Sequence, residues 1–169
     1  MSKIITESGM DFGPFDEDYL YEIERSDLVE RLNIKKVEFI VYYNKALMFL
    51  EAKSSSPQSK LNPINEQTNF DDYIDEVTRK FANSINLFFS IRLGRYKDKM
   101  GIKLNKITLS QANMKLILVI KNHKEEWLPP VSDALKIKLY GLIRSCNINP
   151  CNILIINSAI AKEKGLIKD

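Results

Sequence analysis

The chain has 169 residues, of which 44% are hydrophobic, 28% charged and 9% aromatic, with a formal net charge of +3; at that size one hydrophobic core suffices, and a single domain over 1–169 is expected. No apolar run reaches the roughly 18 residues that span a bilayer, and the N-terminal stretch lacks the apolar centre of a secretory signal, so a cytoplasmic protein without a membrane span is expected. Two cysteines, Cys146 and Cys151, speak against a disulfide framework, and the mild basic balance permits nucleic acid as a partner without arguing for it.

Residues 1–18 are polar and acidic, with Gly9, Gly13 and Pro14, and read as an irregular arm. In residues 19–25 Tyr19, Tyr21 and Ile23 alternate as in a strand, and Ser26 can cap a short helix over 27–32. The runs 37–43 and 46–53 are β-branched and aromatic and flank Asn44-Lys45, which predicts a hairpin. Residues 54–69 have the composition of a loop, long for a compact domain.

A helix is expected over 70–93, where Phe70, Ile74, Val77, Phe81, Ile85 and Phe88 keep the helical period, with Asp71 and Asp72 at its positive end and Gly94 after it. Residues 116–120 and 152–157 are continuous apolar runs, as expected of strands buried on both faces. Between them Pro129-Pro130 opens a helix over 130–145, and Ser158 can cap a last short helix ended by Gly165. The order predicts an α/β protein: a mixed sheet with an early antiparallel hairpin, later parallel strands, and helices on both faces.

The chemistry is concentrated at one end of the hairpin. Along 46–53 both faces are apolar until Glu51 and Lys53 appear on the face of Leu47 and Phe49. A two-residue turn at Asn44-Lys45 pairs Tyr43 with Ala46 and so sets Glu38 directly opposite Glu51. Two facing carboxylates in a half-buried place repel and call for a shared proton, a cationic side chain or a bound cation. Lys53 supplies one positive charge; Mg²⁺, or Mn²⁺ in its place, would complete the balance and activate a water. The alternative is a structural ion-pair network.

The pattern Val37-Glu38, thirteen residues on Glu51-Ala52-Lys53, then Ser54-Ser55, resembles the PD-(D/E)xK nuclease superfamily, whose fold is restriction-endonuclease-like. That resemblance implies a helix, a three-stranded meander holding the motif, a helix and a further strand, over about residues 19–121. It implies that Glu38 and Glu51 bind the metal, that Lys53 assists the attacking water, and that Glu24 or Glu22 adds a carboxylate. Ser54, Arg92, Arg95 and Lys97 are candidates for phosphate contact, against the plainer reading of a loop start and a solvated connection. His123, the sole histidine, reads as a solvated loop residue, and Trp127 as a packing residue beside the proline pair. The expected function is hydrolysis of phosphodiester bonds in DNA by metal-activated water, with dimerisation, nucleic-acid structure or a partner protein giving specificity. An inactive nuclease-like binding module, or a purely structural or interaction protein, is the alternative.

Overall fold

The computed structural model describes residues 1–57 and 64–168, with the backbone alone for 64–68. A five-stranded sheet forms its centre, in the order β3 (Leu20–Tyr21), β4 (Phe39–Tyr43), β5 (Ala46–Lys53), β6 (Asn113–Ile120), β7 (Ile153–Asn157). The first three strands are antiparallel and the last two run parallel to β5. This mixed sheet is the predicted one. Asn44 and Lys45 both adopt positive φ, 48° and 59°, which matches the twist of the flanking strands and gives the predicted Tyr43–Ala46 pairing.

Residues 1–18 are not an irregular arm. They form a second hairpin, β1 (Ser2–Glu7) and β2 (Met10–Asp16). Ser8 and Gly9 turn it with φ of 51° and 70°, a Ser-Gly turn signal that the polar composition around it masked. Its inner residues Ile5, Met10, Phe12 and Phe15 are buried against Phe39, Val41, Met48 and Leu50 of the sheet.

The sheet is therefore covered unequally. One face packs against α1 (Asp27–Leu32), α2 (Ile64–Arg92), α3 (Leu128–Lys138) and α4 (Tyr140–Ser145). The other packs against the β1–β2 hairpin and α5 (Ser158–Glu163), so among the described residues one short helix lies on a face where several helices were expected to share the cover.

Several boundaries differ from the sequence reading. The strand expected over 19–25 shrinks to two residues, because the Asp16 carboxylate caps a tight turn over Glu17–Tyr19 and a second one forms at Ile23–Arg25. Helix α2 begins six residues early, at Ile64, so the end of the expected loop is helical and Asp71 and Asp72 lie inside the helix; residues 58–63 of that loop lie outside the described residues. Gly94, with φ of 74°, ends α2 as expected. The helix over 130–145 divides at Leu139, whose ψ of 0° interrupts the regular turn. The cap of α5 is Asn157, whose side chain accepts the Ile160 N–H; Ser158 is already helical and its hydroxyl accepts the Asn122 N–H instead. Ser26 caps α1 as predicted, accepting the Val29 N–H at 3.3 Å. Among the described residues no helix is long and apolar enough to cross a membrane.

Candidate functional site

Glu51 lies near the end of β5, and strand alternation points it, with Leu47 and Phe49, toward α2. The side of α2 that meets it carries two charges one turn apart, Glu76 and Lys80, beside the apolar stripe. The same helix holds the chain entering β4. Ser84 Oγ accepts the N–H of buried Val37 at 2.9 Å, and Asn83 Nδ2 donates to Lys35 O at 2.9 Å.

This clip alters the expected register. The ladder runs regularly to the Phe39–Leu50 pair, but the Glu38 N–H is also donated to Leu50 O, at 3.1 Å. Glu38 thus does not continue the ladder directly opposite Glu51. The two carboxylates are connected instead through Lys80, whose ammonium stands 2.6 Å from Glu51 Oε1 and 3.7 Å from Glu38 Oε1. The tight turn at Ile23–Arg25 brings Glu24 over the same place: its N–H is donated to Glu38 O at 3.3 Å.

Ligand oxygens of Glu7, Glu24 and Glu38 lie within 4.8 Å of one another. Glu22, the other candidate on this segment, is paired with Lys3 and Arg25. Lys53 Nζ contacts Glu76 Oε1 at 2.8 Å and Glu51 Oε1 at 3.4 Å. Glu51 itself has no exposed surface, and its Oε2 has no hydrogen-bond partner among the described residues.

Burial and crowding of like charges set the protonation of the cluster. Burial, then a hydrogen bond with Glu24 and the charge of Glu51, push the Glu38 carboxyl up to about 9. That shared proton holds Glu24 below the usual carboxylate range. Burial also raises Glu51 against the opposing pull of Lys80 and Lys53, and raises Glu7, with Glu24 adding to it. For Lys80 burial works against the ammonium, but Glu51, Glu38 and Glu24 outweigh it and hold the amine above the ordinary lysine value. Glu38, raised to about 9 among these groups, is the carboxyl that a cation bound beside it would deprotonate. The oxygens of Glu7, Glu24 and Glu38 are all carboxylate donors, the ligand type that hard divalent ions take.

Beside the carboxylates lies a cleft of about 320 Å³ lined by Glu24, Lys35, Lys36, Glu76 and Lys80, among others. Ser54 is exposed directly after Lys53. The basic residues that follow α2 lie elsewhere. Arg92 donates to the carbonyls of Leu104 and Ile107 at 3.2 and 2.9 Å, bracing the connection, while Arg95 and Lys97 are exposed. Arg92 is about 18 Å along the helix from Lys80. Asp98 of this segment accepts from Tyr21 and Ser26, which ties the connection to the start of α1.

His123 is buried and stacks edge-on against Trp127, with ring centres 5.5 Å apart, so it is not the solvated residue expected from its surroundings in sequence. Burial lowers its pKa.

Sequence reasoning thus found Glu24, Glu38, Glu51 and Lys53, which the fold gathers at one end of the sheet, and missed Glu7, Lys80, Lys35 and Lys36. Lys80 carried a readable signal, an ammonium next to the buried positions Val77 and Phe81. Glu7 carried none beyond its place before the Ser8-Gly9 turn. Searches against family models, curated proteins and solved structures find no match to this chain.

Proposed function

We propose that this protein is a divalent-metal-dependent nuclease that hydrolyses phosphodiester bonds in DNA, a member of the PD-(D/E)xK superfamily. One observation carries the reading: Glu24, Glu38, Glu51 and Lys53 converge beside an open cleft, with Glu51 wholly buried. The topology supports it. Three antiparallel strands hold the motif and α2 then crosses to a strand parallel with β5, although α1 stands between the first two strands and not before them.

Glu24, Glu38 and Glu51 would hold Mg²⁺ or Mn²⁺, which supplies Lewis-acid polarisation of a phosphoryl oxygen and a water of lowered pKa. Lys53, which contacts Glu76 and Glu51, would orient that water or offset charge building on the phosphate. Lys80 keeps the charge of buried Glu51 compensated before and after turnover. Lys35 and Lys36 at the cleft rim suit the flanking phosphates of a nucleic-acid backbone better than Arg92, whose guanidinium is engaged.

A second reading has its own support. Lys80 and Lys53 already pair with Glu51 at 2.6 and 3.4 Å, the arrangement expected of a nuclease-like module that binds without cutting.

Supercoiled plasmid, single-stranded DNA and RNA incubated with Mg²⁺ or Mn²⁺ decide between them. Cleavage is expected, and Lys53→Ala should slow it by about 100-fold or more with the melting temperature little changed. Binding that weakens steeply with salt, with no cleavage, would favour the inactive module. No cleavage of any of the three and no shift in melting temperature with divalent ions would sink the nuclease.

A further inference from the structure

We infer that the cleft between Tyr19, Tyr42 and residues 106–111 is a binding site for single-stranded nucleic acid, taking a base against the tyrosines and a phosphate at Lys106. The site is separate from the carboxylate cluster and needs neither a metal ion nor cleavage there. It shares with the nuclease reading only the class of partner.

The cleft measures about 440 Å³ and lies on the helix-covered face of the sheet. Tyr42 pairs with Leu47 across the hairpin, so its side chain shares the face of Leu47 and Glu51. From Leu47 to Glu51 along β5 is about 13 Å. Tyr19, in the tight turn before β3, stands beside Tyr42 with ring centres 5.8 Å apart, and both rings are half-buried. The rest of the lining is braced by α2: Arg92 donates to the carbonyls of Leu104 and Ile107, and a tight turn over Leu109–Gln111 follows.

The polar groups here are not used by the fold. The Lys106 ammonium, the Thr108 hydroxyl and the Gln111 amide line the cleft, are exposed, and have no partner among the described residues. Lys103, also in the lining, is by contrast held by Asp16 and Asp18 at 3.2 and 3.1 Å, with its ammonium 5.3 Å from the centre of the Tyr19 ring. Aromatic rings, groups able to meet a base edge and an unpaired cation are what an unstacked nucleotide requires.

Charge outside the cleft extends the ligand to a polymer. Between Arg92 and Lys106 the sequence holds one acid, Asp98, whose carboxylate accepts from Tyr21 and Ser26. Arg95, Lys97 and Lys99 are exposed and make no ion pair among the described residues. The Gly101 N–H is donated to Leu20 O and the Lys103 N–H to Asp18 O, at 2.8 and 2.9 Å, so this segment reaches the cleft beside the turn that carries Tyr19. In a chain of net charge +3 it forms a basic strip suited to a phosphate backbone more than to a free nucleotide. A base stacked within a duplex has no free face for the rings, which selects a single strand.

Fluorescence anisotropy of labelled oligodeoxythymidylate and oligouridylate, with the full chain in EDTA, tests this against a hairpin duplex of equal length. A single strand should bind, and the duplex at least about tenfold more weakly. Binding of one oligomer and not the other supports the site and names the sugar it takes. Tyr42→Leu, which keeps an apolar side chain but removes the ring, should weaken binding at least about fivefold. Lys106→Gln should weaken it as well and lower the salt slope by about 0.7; its exposed position lets it carry the test should Tyr42→Leu not fold. Lys164→Gln, which removes an exposed charge after α5 on the other face, should bind as wild type. Binding within about twofold of wild type by a folded Tyr42→Leu or by Lys106→Gln overturns the site. So does equal weakening in Lys164→Gln, equal affinity for the duplex, or no binding of either single strand by wild type. Wild type that binds single strands in EDTA yet cuts nothing with Mg²⁺ or Mn²⁺ sinks the nuclease and leaves this site standing.

Discussion

Glu38 carries the site's pH dependence. Its carboxyl titrates at about 9 in the folded protein against an ordinary value of 4.5, so between these values the folded state keeps a proton that the unfolded chain releases. Stability of the metal-free protein must then fall as pH rises through that window. Glu38→Gln should raise the melting temperature in EDTA at pH 8 and flatten its slope between pH 5 and 9; parallel slopes in variant and wild type would contradict the assignment. Lys80 carries the opposite risk. Its removal leaves the fully buried Glu51 with the more distant Lys53, and breaking a buried pair costs about 3–5 kcal/mol. Lys80→Met should show a loss of that order in urea unfolding. If the cluster holds metal, saturating Mn²⁺ restores part of it, because the ion supplies positive charge only to the folded state.

Helix α2 works as the template on which the site is assembled. Its apolar stripe of Phe70, Ile74, Val77, Phe81, Ile85 and Phe88 packs on the sheet, while Glu76, Lys80, Asn83 and Ser84 contact the chain around Lys35, Val37, Glu51 and Lys53. The bond from the Val37 N–H to Ser84 Oγ lies fully inside, with both residues at 0% exposure. Ser84→Ala leaves that N–H without a partner, and urea unfolding should record a loss of about 1–3 kcal/mol. The same bond explains why β4 starts at Phe39 and not at Val37, and so why Glu38 leaves the ladder.

At the scale of the whole molecule, the β1–β2 hairpin does for one face of the sheet what the helices do for the other. Deleting residues 1–16 uncovers Phe39, Val41, Met48 and Leu50, which the hairpin residues Phe12 and Phe15 shield. The shortened chain should lose its cooperative melt and bind a hydrophobic dye; a sharp transition near the wild-type temperature would show that the segment is an appendage.

The β-branched and aromatic runs 37–43 and 46–53, the Asn44-Lys45 turn and the continuous apolar runs of β6 and β7 were enough to determine a mixed sheet, because strand propensity, turn chemistry and two-sided burial are local properties. Strand period put Glu51 and Lys53 on one face at a strand end, with Glu38 nearby. What it could not determine is what stands between Glu38 and Glu51. Two-residue pairing set them face to face, yet the Val37 N–H donates to Ser84 Oγ, 47 residues on and in α2, Glu38 leaves the ladder beside it, and Lys80 stands against both carboxylates. Glu7 and Glu24 reached the cluster through a hairpin anchored on β5 and a tight turn off an edge strand. Contacts between segments distant in the chain leave no periodic trace, and in this protein they decide which carboxylates stand together and which cation stands between them.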